Sequence, residues 1–127
     1  MAVGMAVAMK MVDDTEGPAS GRPIDLVHLS RHSLGNRELE QEILRLFVRQ
    51  SALYLERLKV ATTARARAEA AHTIKGSAKG IGAWRVARLA EAVENPPAAD
   101  YAMAIELMGD LEAAVAEANA YIDAIID

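Results

Sequence analysis

His72-Thr73-Ile74-Lys75-Gly76-Ser77-Ala78-Lys79-Gly80-Ile81-Gly82-Ala83 is the stretch on which the reading of this 127-residue chain turns. On a helix at about 100° per residue with His72 at zero, Arg65, Ala68, Glu69, Lys75, Gly76 and Lys79 fall within roughly 60° of it. Ala66, Ala70, Ile74, Ser77 and Ile81 fall on the far side. The pattern predicts that Ile74 and its neighbours face a core while His72 faces water, flanked by two lysines. A structural histidine would sit among apolar residues on the inner face, and this one does not. Gly76 lies with His72 on the outer face, where it cannot ease the packing of one helix on another. A mid-helix glycine costs about 1 kcal/mol relative to alanine, so its expected use is to let something approach closely.

Working outward, the chain reads as helices throughout. Ile24–Ser33 suits a short first helix, and Leu34-Gly35-Asn36 ends it, with Asn36 able to cap the next. A second helix is expected over about Arg37–Lys59, with Leu39, Ile43, Leu46, Phe47, Leu53, Tyr54 and Leu58 as one buried stripe. Thr62 or Thr63 offers a cap for a third helix over about Ala64–Lys79, which Gly80 and Gly82 break. A fourth spans about Ala83–Glu94, stopped by Asn95-Pro96-Pro97, and a last runs from about Ala98 to Ile126. No strand-like alternation and no fixed-period repeat occurs. The expected fold is all-α: an antiparallel up-down four-helix bundle with a short additional N-terminal helix.

Composition agrees. Ala, Leu, Arg and Glu dominate, which favours helix over strand. The length suits one domain. Gly, Pro and acidic residues cluster in 13–23, so residues 1–23 are read as a flexible leader and 24–127 as the folded domain. There is no cysteine, which excludes disulfides, thiolate metal sites and cysteine nucleophiles. The net charge of -4 gives no global reason to expect nucleic acid. No apolar run approaches the roughly 20 residues a membrane helix needs. In the apolar Met1–Val12 the positive charge, Lys10, comes at the wrong end for a secretory signal. A cytoplasmic protein with no membrane contact is the expectation.

The chemistry that suits His72 is nucleophilic. A neutral imidazole nitrogen attacks phosphorus well near neutral pH. Lys75, three residues on, shares its face and can offset the charge of an added phosphoryl group. Lys79 extends that field, and Gly76 leaves room for a second protein to bring its phosphorylated group in line.

These twelve positions, His-x-x-Lys-Gly-Ser-Ala-x-x-Ile-Gly-Ala, closely resemble the signature of histidine phosphotransfer (HPt) domains of multistep phosphorelays. The helical pattern extends the resemblance over about residues 24–126. The resemblance implies that His72 is phosphorylated and exchanges its phosphoryl group with the aspartate of response-regulator receiver domains. It implies that Lys75 supports the phosphate, that Gly76 allows docking, and that Ser77 and Ala78 allow close packing. Val93-Glu94 stands where the family commonly shows Leu-Glu. Receiver domains, and a hybrid histidine kinase, are the implied partners. Arg65, Ala68, Glu69 and Lys79 are the candidate docking residues around His72. No cofactor is expected on this chain; magnesium would belong to the receiver. A lone bundle suggests a monomer.

Charge placement points the same way. Between Thr62 and Ala90, six basic residues (Arg65, Arg67, Lys75, Lys79, Arg85 and Arg88) face the single acid Glu69. From Glu91 to the end there are nine acids and no Lys or Arg. An acidic partner site would be steered to the basic zone.

Rival readings are weaker. A kinase dimerisation domain usually follows its histidine with an acidic residue and later a proline, and Thr73 and Ile74 do not fit. No glycine-rich nucleotide loop is present, so the chain is expected to be a carrier and not an enzyme. His28 and His32, at i and i+4, have two-histidine metal spacing but no third ligand at fixed spacing. Glu69-Ala-Ala-His72 has the spacing of a bundle metal motif, once only and facing water; Glu69 reads instead as a surface neighbour of the imidazole. A non-catalytic adaptor bundle that binds receiver or kinase domains remains as the alternative function. Trp84 reads as a packing residue closing the bundle end.

Overall fold

The structure, a computed structural model, describes residues 21–96 and 101–126. These residues form five helices and no strand: α1 (Leu26–His32), α2 (Arg37–Val60), α3 (Ala64–Ile81), α4 (Trp84–Glu94) and α5 (Tyr101–Ile125). Residues 1–20, most of the expected leader, and the expected start of the last helix at Ala98 lie outside the described residues. No described helix is long and apolar enough to cross a membrane.

The starts of α1, α2 and α3 are written in their caps. Asp25, Asn36 and Thr63 accept from the backbone N–H three residues on, at His28, Leu39 and Ala66. Such a cap is worth about 1 kcal/mol. The connection after α1 carries two left-handed residues, Leu34 and Gly35. Buried Ser33 then donates to Glu40 Oε2 at 2.9 Å, which fixes how α2 leaves that turn.

α3 does not stop at Gly80. That glycine is helical, and the break falls at Gly82 alone, the left-handed C-cap with φ 75°. Ala83 N–H closes the motif on Ala78 O at 2.8 Å. A glycine is required here for a second reason: a Cβ would stand 2.7 Å from Asp25 Cβ and 3.0 Å from Asp25 O. The close approach serves α1. Asp25 N–H bonds Gly82 O at 2.9 Å, and Trp84 Nε1 donates to Asp25 Oδ2 at 3.0 Å. Burial disfavours the Asp25 carboxylate, but the Trp84 indole and the His28 amide outweigh it and hold its pKa below the ordinary carboxylate value. Trp84 is buried, as a packing residue at this end of the molecule.

α3 packs chiefly on α4 and α2, α4 packs on α5, and α5 closes back on α2. The core between them is formed by Leu44, Phe47 and Leu58 of α2, Ile74, Ala78 and Ile81 of α3, Val86 and Ala90 of α4, and Leu111, Val115 and Ile122 of α5. The stripe expected on α2 is met in part: Phe47 and Leu58 are buried and Ile43 and Tyr54 pack against the core. Leu39, Leu46 and Leu53 are exposed, and the buried line runs through Leu44, Phe47, Ser51 and Leu58. Ser51 is tolerated there because it accepts from Asn119 Nδ2 at 3.1 Å and donates to Val48 O at 3.2 Å.

Candidate functional site

α3 presents its residues much as its sequence pattern implies. Ala70, Ala71, Ile74, Ala78 and Ile81 are buried, whereas the His72 side chain is 65% exposed. Gly76 is exposed, and among the described residues nothing lies within 4 Å of where its Cβ would be. No packing demand among the described residues therefore accounts for this glycine. Arg65, Glu69 and Lys79 are exposed and Ala68 is half-buried, so the candidate docking residues do share a reachable surface. On that side, an open groove of about 540 Å³ runs between α2 and α3, with Tyr54, Arg57 and Val60 on one wall and Glu69, Ala70 and Thr73 on the other.

The other flank of His72 is occupied by α4, and sequence reasoning missed what stands there. Glu94, the last residue of α4, brings Oε2 to 2.8 Å from His72 Nδ1. Its second oxygen, Oε1, forms an ion pair with Lys75 Nζ at 2.8 Å. Glu91, one turn earlier, takes the same ammonium through Oε1 at 3.1 Å, and Asn95 Nδ2 donates to Glu91 Oε2 at 3.2 Å. Lys75 is thus only 15% exposed, enclosed by two carboxylates and not free beside the imidazole. In sequence the basic zone around His72 ends at Arg88, and Glu91 is the first charged residue after it. Glu69, expected as the acidic neighbour of His72, pairs instead with Arg65 at 3.3 Å.

The electrostatics follow from this enclosure. The Lys75 contact lowers the Glu94 pKa; burial opposes the shift and the His72 bond adds to it. The ion pair with Glu94 raises the Lys75 pKa, again against burial, with Glu91 contributing further. Glu94 is therefore ionised near neutral pH, and an ionised carboxylate only accepts. Nδ1 of His72 must then carry the proton, which leaves Nε2 of the neutral ring with a free lone pair. One carboxylate fixes both the tautomer and the ring orientation.

The remaining histidines do other work. His28 Nε2 lies 2.9 Å from Lys79 O, and its ring meets Trp84 edge-on, so it ties α1 to the end of α3. It is a joint of the fold. His32 Nδ1 lies 3.2 Å from His28 O. Among the described residues no group of three or more His, Cys, Asp or Glu is placed to hold a metal ion.

A family model described as Hpt domain matches residues 42–124, which takes in α3 and α4 whole and with them His72, Lys75, Glu91 and Glu94. No curated protein and no solved structure matches the chain.

Proposed function

Because the chain belongs to the Hpt domain family, we propose that it is a phosphoryl carrier in which His72 accepts a phosphoryl group from, and returns it to, the aspartate of a response-regulator receiver domain. The observation that carries this reading is the bond from His72 Nδ1–H to Glu94 at 2.8 Å, in a side chain that is otherwise 65% exposed. It leaves Nε2 as the one nucleophilic nitrogen of the ring.

In the forward step the Nε2 lone pair forms the N–P bond while the aspartyl O–P bond breaks and its electron pair returns to the receiver carboxylate. Positive charge appears on the ring at Nδ1–H, where Glu94 already faces it. The phosphoryl oxygens carry their charge into reach of Lys75. Gly76 gives the receiver a bare stretch of backbone to approach, and Arg65, Ala68, Glu69 and Lys79 lie around that approach. On this reading the four long helices run antiparallel, up and down, with α1 as the short addition, and the protein acts in the cytoplasm as a monomer. Magnesium stays with the receiver, and a hybrid histidine kinase is the upstream source of the phosphoryl group.

Incubation with a phosphorylated receiver tests the proposal. The chain should gain an acid-labile, base-stable phosphoryl group, and His72→Gln should abolish the uptake without unfolding the protein. Equal labelling of wild type and His72→Gln would overturn the assignment.

A further inference from the structure

Lys75 is engaged before any phosphoryl group arrives. Its ammonium has three donors, and Glu94 and Glu91 hold it at 2.8 and 3.1 Å. With a neutral imidazole, Lys75, Glu91 and Glu94 together carry one net negative charge. A phosphoryl group on Nε2 puts up to about two negative charges on its oxygens, against one positive charge gained by the ring at Nδ1–H, so the site becomes more negative by about one. The lysine cannot serve that group fully while both carboxylates stay in place, because each added anion repels the others.

The two carboxylates are not equivalent. Glu94 is 19% exposed and is held by His72 and Lys75 together. Glu91 is 54% exposed, touches the ammonium through one oxygen and the exposed Asn95 amide through the other, so it can turn into water at little cost. It is the partner that gives way.

Building on the phosphoryl-carrier reading, we propose that Glu91 is a positioning residue that competes with the phosphoryl group for Lys75 and so keeps the phosphohistidine easy to transfer onward. With Glu91 in place, each arrival of a phosphoryl group on Nε2 displaces an existing ion pair, and each departure restores it. The exchange moves no proton and breaks no covalent bond; the N–P and aspartyl O–P bonds form and break as before. Glu91 therefore acts on the equilibrium between phosphoreceiver and phosphohistidine, not on the identity of the nucleophile.

The experiment uses the full chain and two phosphodonors. Phosphoramidate should label His72 in both wild type and Glu91→Gln, because that donor needs no docking. If neither is labelled, the carrier reading fails and this inference falls with it. With labelling established, the distribution of phosphoryl between the chain and a receiver is measured from both directions. Glu91→Gln should shift the constant toward phosphohistidine by about two- to fivefold, the span of an exposed ion pair. The shift should shrink at about 1 M salt, and Glu91→Asp should bring the constant back toward wild type. In a Lys75→Gln background the effect of Glu91→Gln should fall below half. An unchanged constant in the single variant, or an equal shift without Lys75, would overturn the proposal.

Discussion

Glu94 Oε2 stands 2.8 Å from Nδ1 of His72, across 22 residues of sequence, and the same carboxylate holds Lys75 through its other oxygen. One side chain thereby sets which imidazole nitrogen is free and where the neighbouring cation rests. Glu94→Gln should undo the first of these. A carboxamide can accept from Nδ1–H, but it can also donate to Nδ1 and leave Nε2 protonated. Phosphotransfer to His72 should slow by about ten- to hundredfold, as when the orienting partner of a working histidine is lost. Nitrogen NMR of the ring should show two tautomers in the variant and one in wild type. A single unchanged tautomer with an unchanged rate would remove Glu94 from the mechanism.

The same contacts give stability a defined pH dependence. The pKa of Glu94 is lowered from an ordinary 4.5, so its contribution is complete above that value and fades as pH falls through the lowered folded value. The pKa of Lys75 is raised from 10.5, so its contribution is complete below 10.5 and is lost as pH rises through the raised folded value. The difference in melting temperature between wild type and Glu94→Gln should be present at pH values between these two limits. It should close on the acid side below 4.5 and on the alkaline side above 10.5. A gap that persists at pH values below the folded pKa of Glu94 would contradict the ion pair.

The exposure of His72 and Gly76 was legible because α3 is one regular helix, and helical periodicity needs nothing beyond the sequence. Glu94 and Glu91 were not legible in the same way. Their meeting with His72 and Lys75 depends on how α4 folds back on α3, which Gly82 and the buried Trp84 decide and which no local spacing reports. A faint signal existed: two acids three residues apart on one face of α4, directly after a basic zone. The exposure of Leu39, Leu46 and Leu53 was hidden for a different reason. The leucines of α2 lie on two sides, Leu39, Leu46 and Leu53 on one and Leu44, Leu55 and Leu58 on the other, so periodicity alone does not choose a face. The buried line includes a polar residue, Ser51, whose partner Asn119 lies 68 residues away. The role of His28 as a joint to α3 was hidden likewise, since Lys79 O is a backbone acceptor and leaves no mark in the sequence.

Gly82→Ala should destabilise the protein clearly. The residue has φ 75°, and the added Cβ would meet Asp25 Cβ at 2.7 Å. Left-handed strain alone costs about 1 kcal/mol or more in a non-glycine residue, and the Asp25 contact is to a neighbour pinned by Trp84 and by the start of α1. Denaturant unfolding should show a loss of about 1–3 kcal/mol. Near-neutral unfolding would mean that α1 can shift away from α3 without penalty.

Gly76 should behave in the opposite sense, and that contrast separates folding from docking. Among the described residues nothing touches the position of its missing Cβ, and its backbone is ordinary helix. Gly76→Ala should therefore stabilise by about 0.5–1 kcal/mol through helix propensity alone. Gly109 in α5 is equally open and serves as a control, so Gly109→Ala should stabilise by a similar amount and leave transfer untouched. If the bare backbone at Gly76 is where a receiver approaches His72, a larger side chain must obstruct it. Gly76→Gln should keep the fold and the labelling of His72 by phosphoramidate, yet lose transfer from a phosphorylated receiver. Normal receiver transfer in Gly76→Gln would show that the partner reaches His72 from another side, along the groove between α2 and α3.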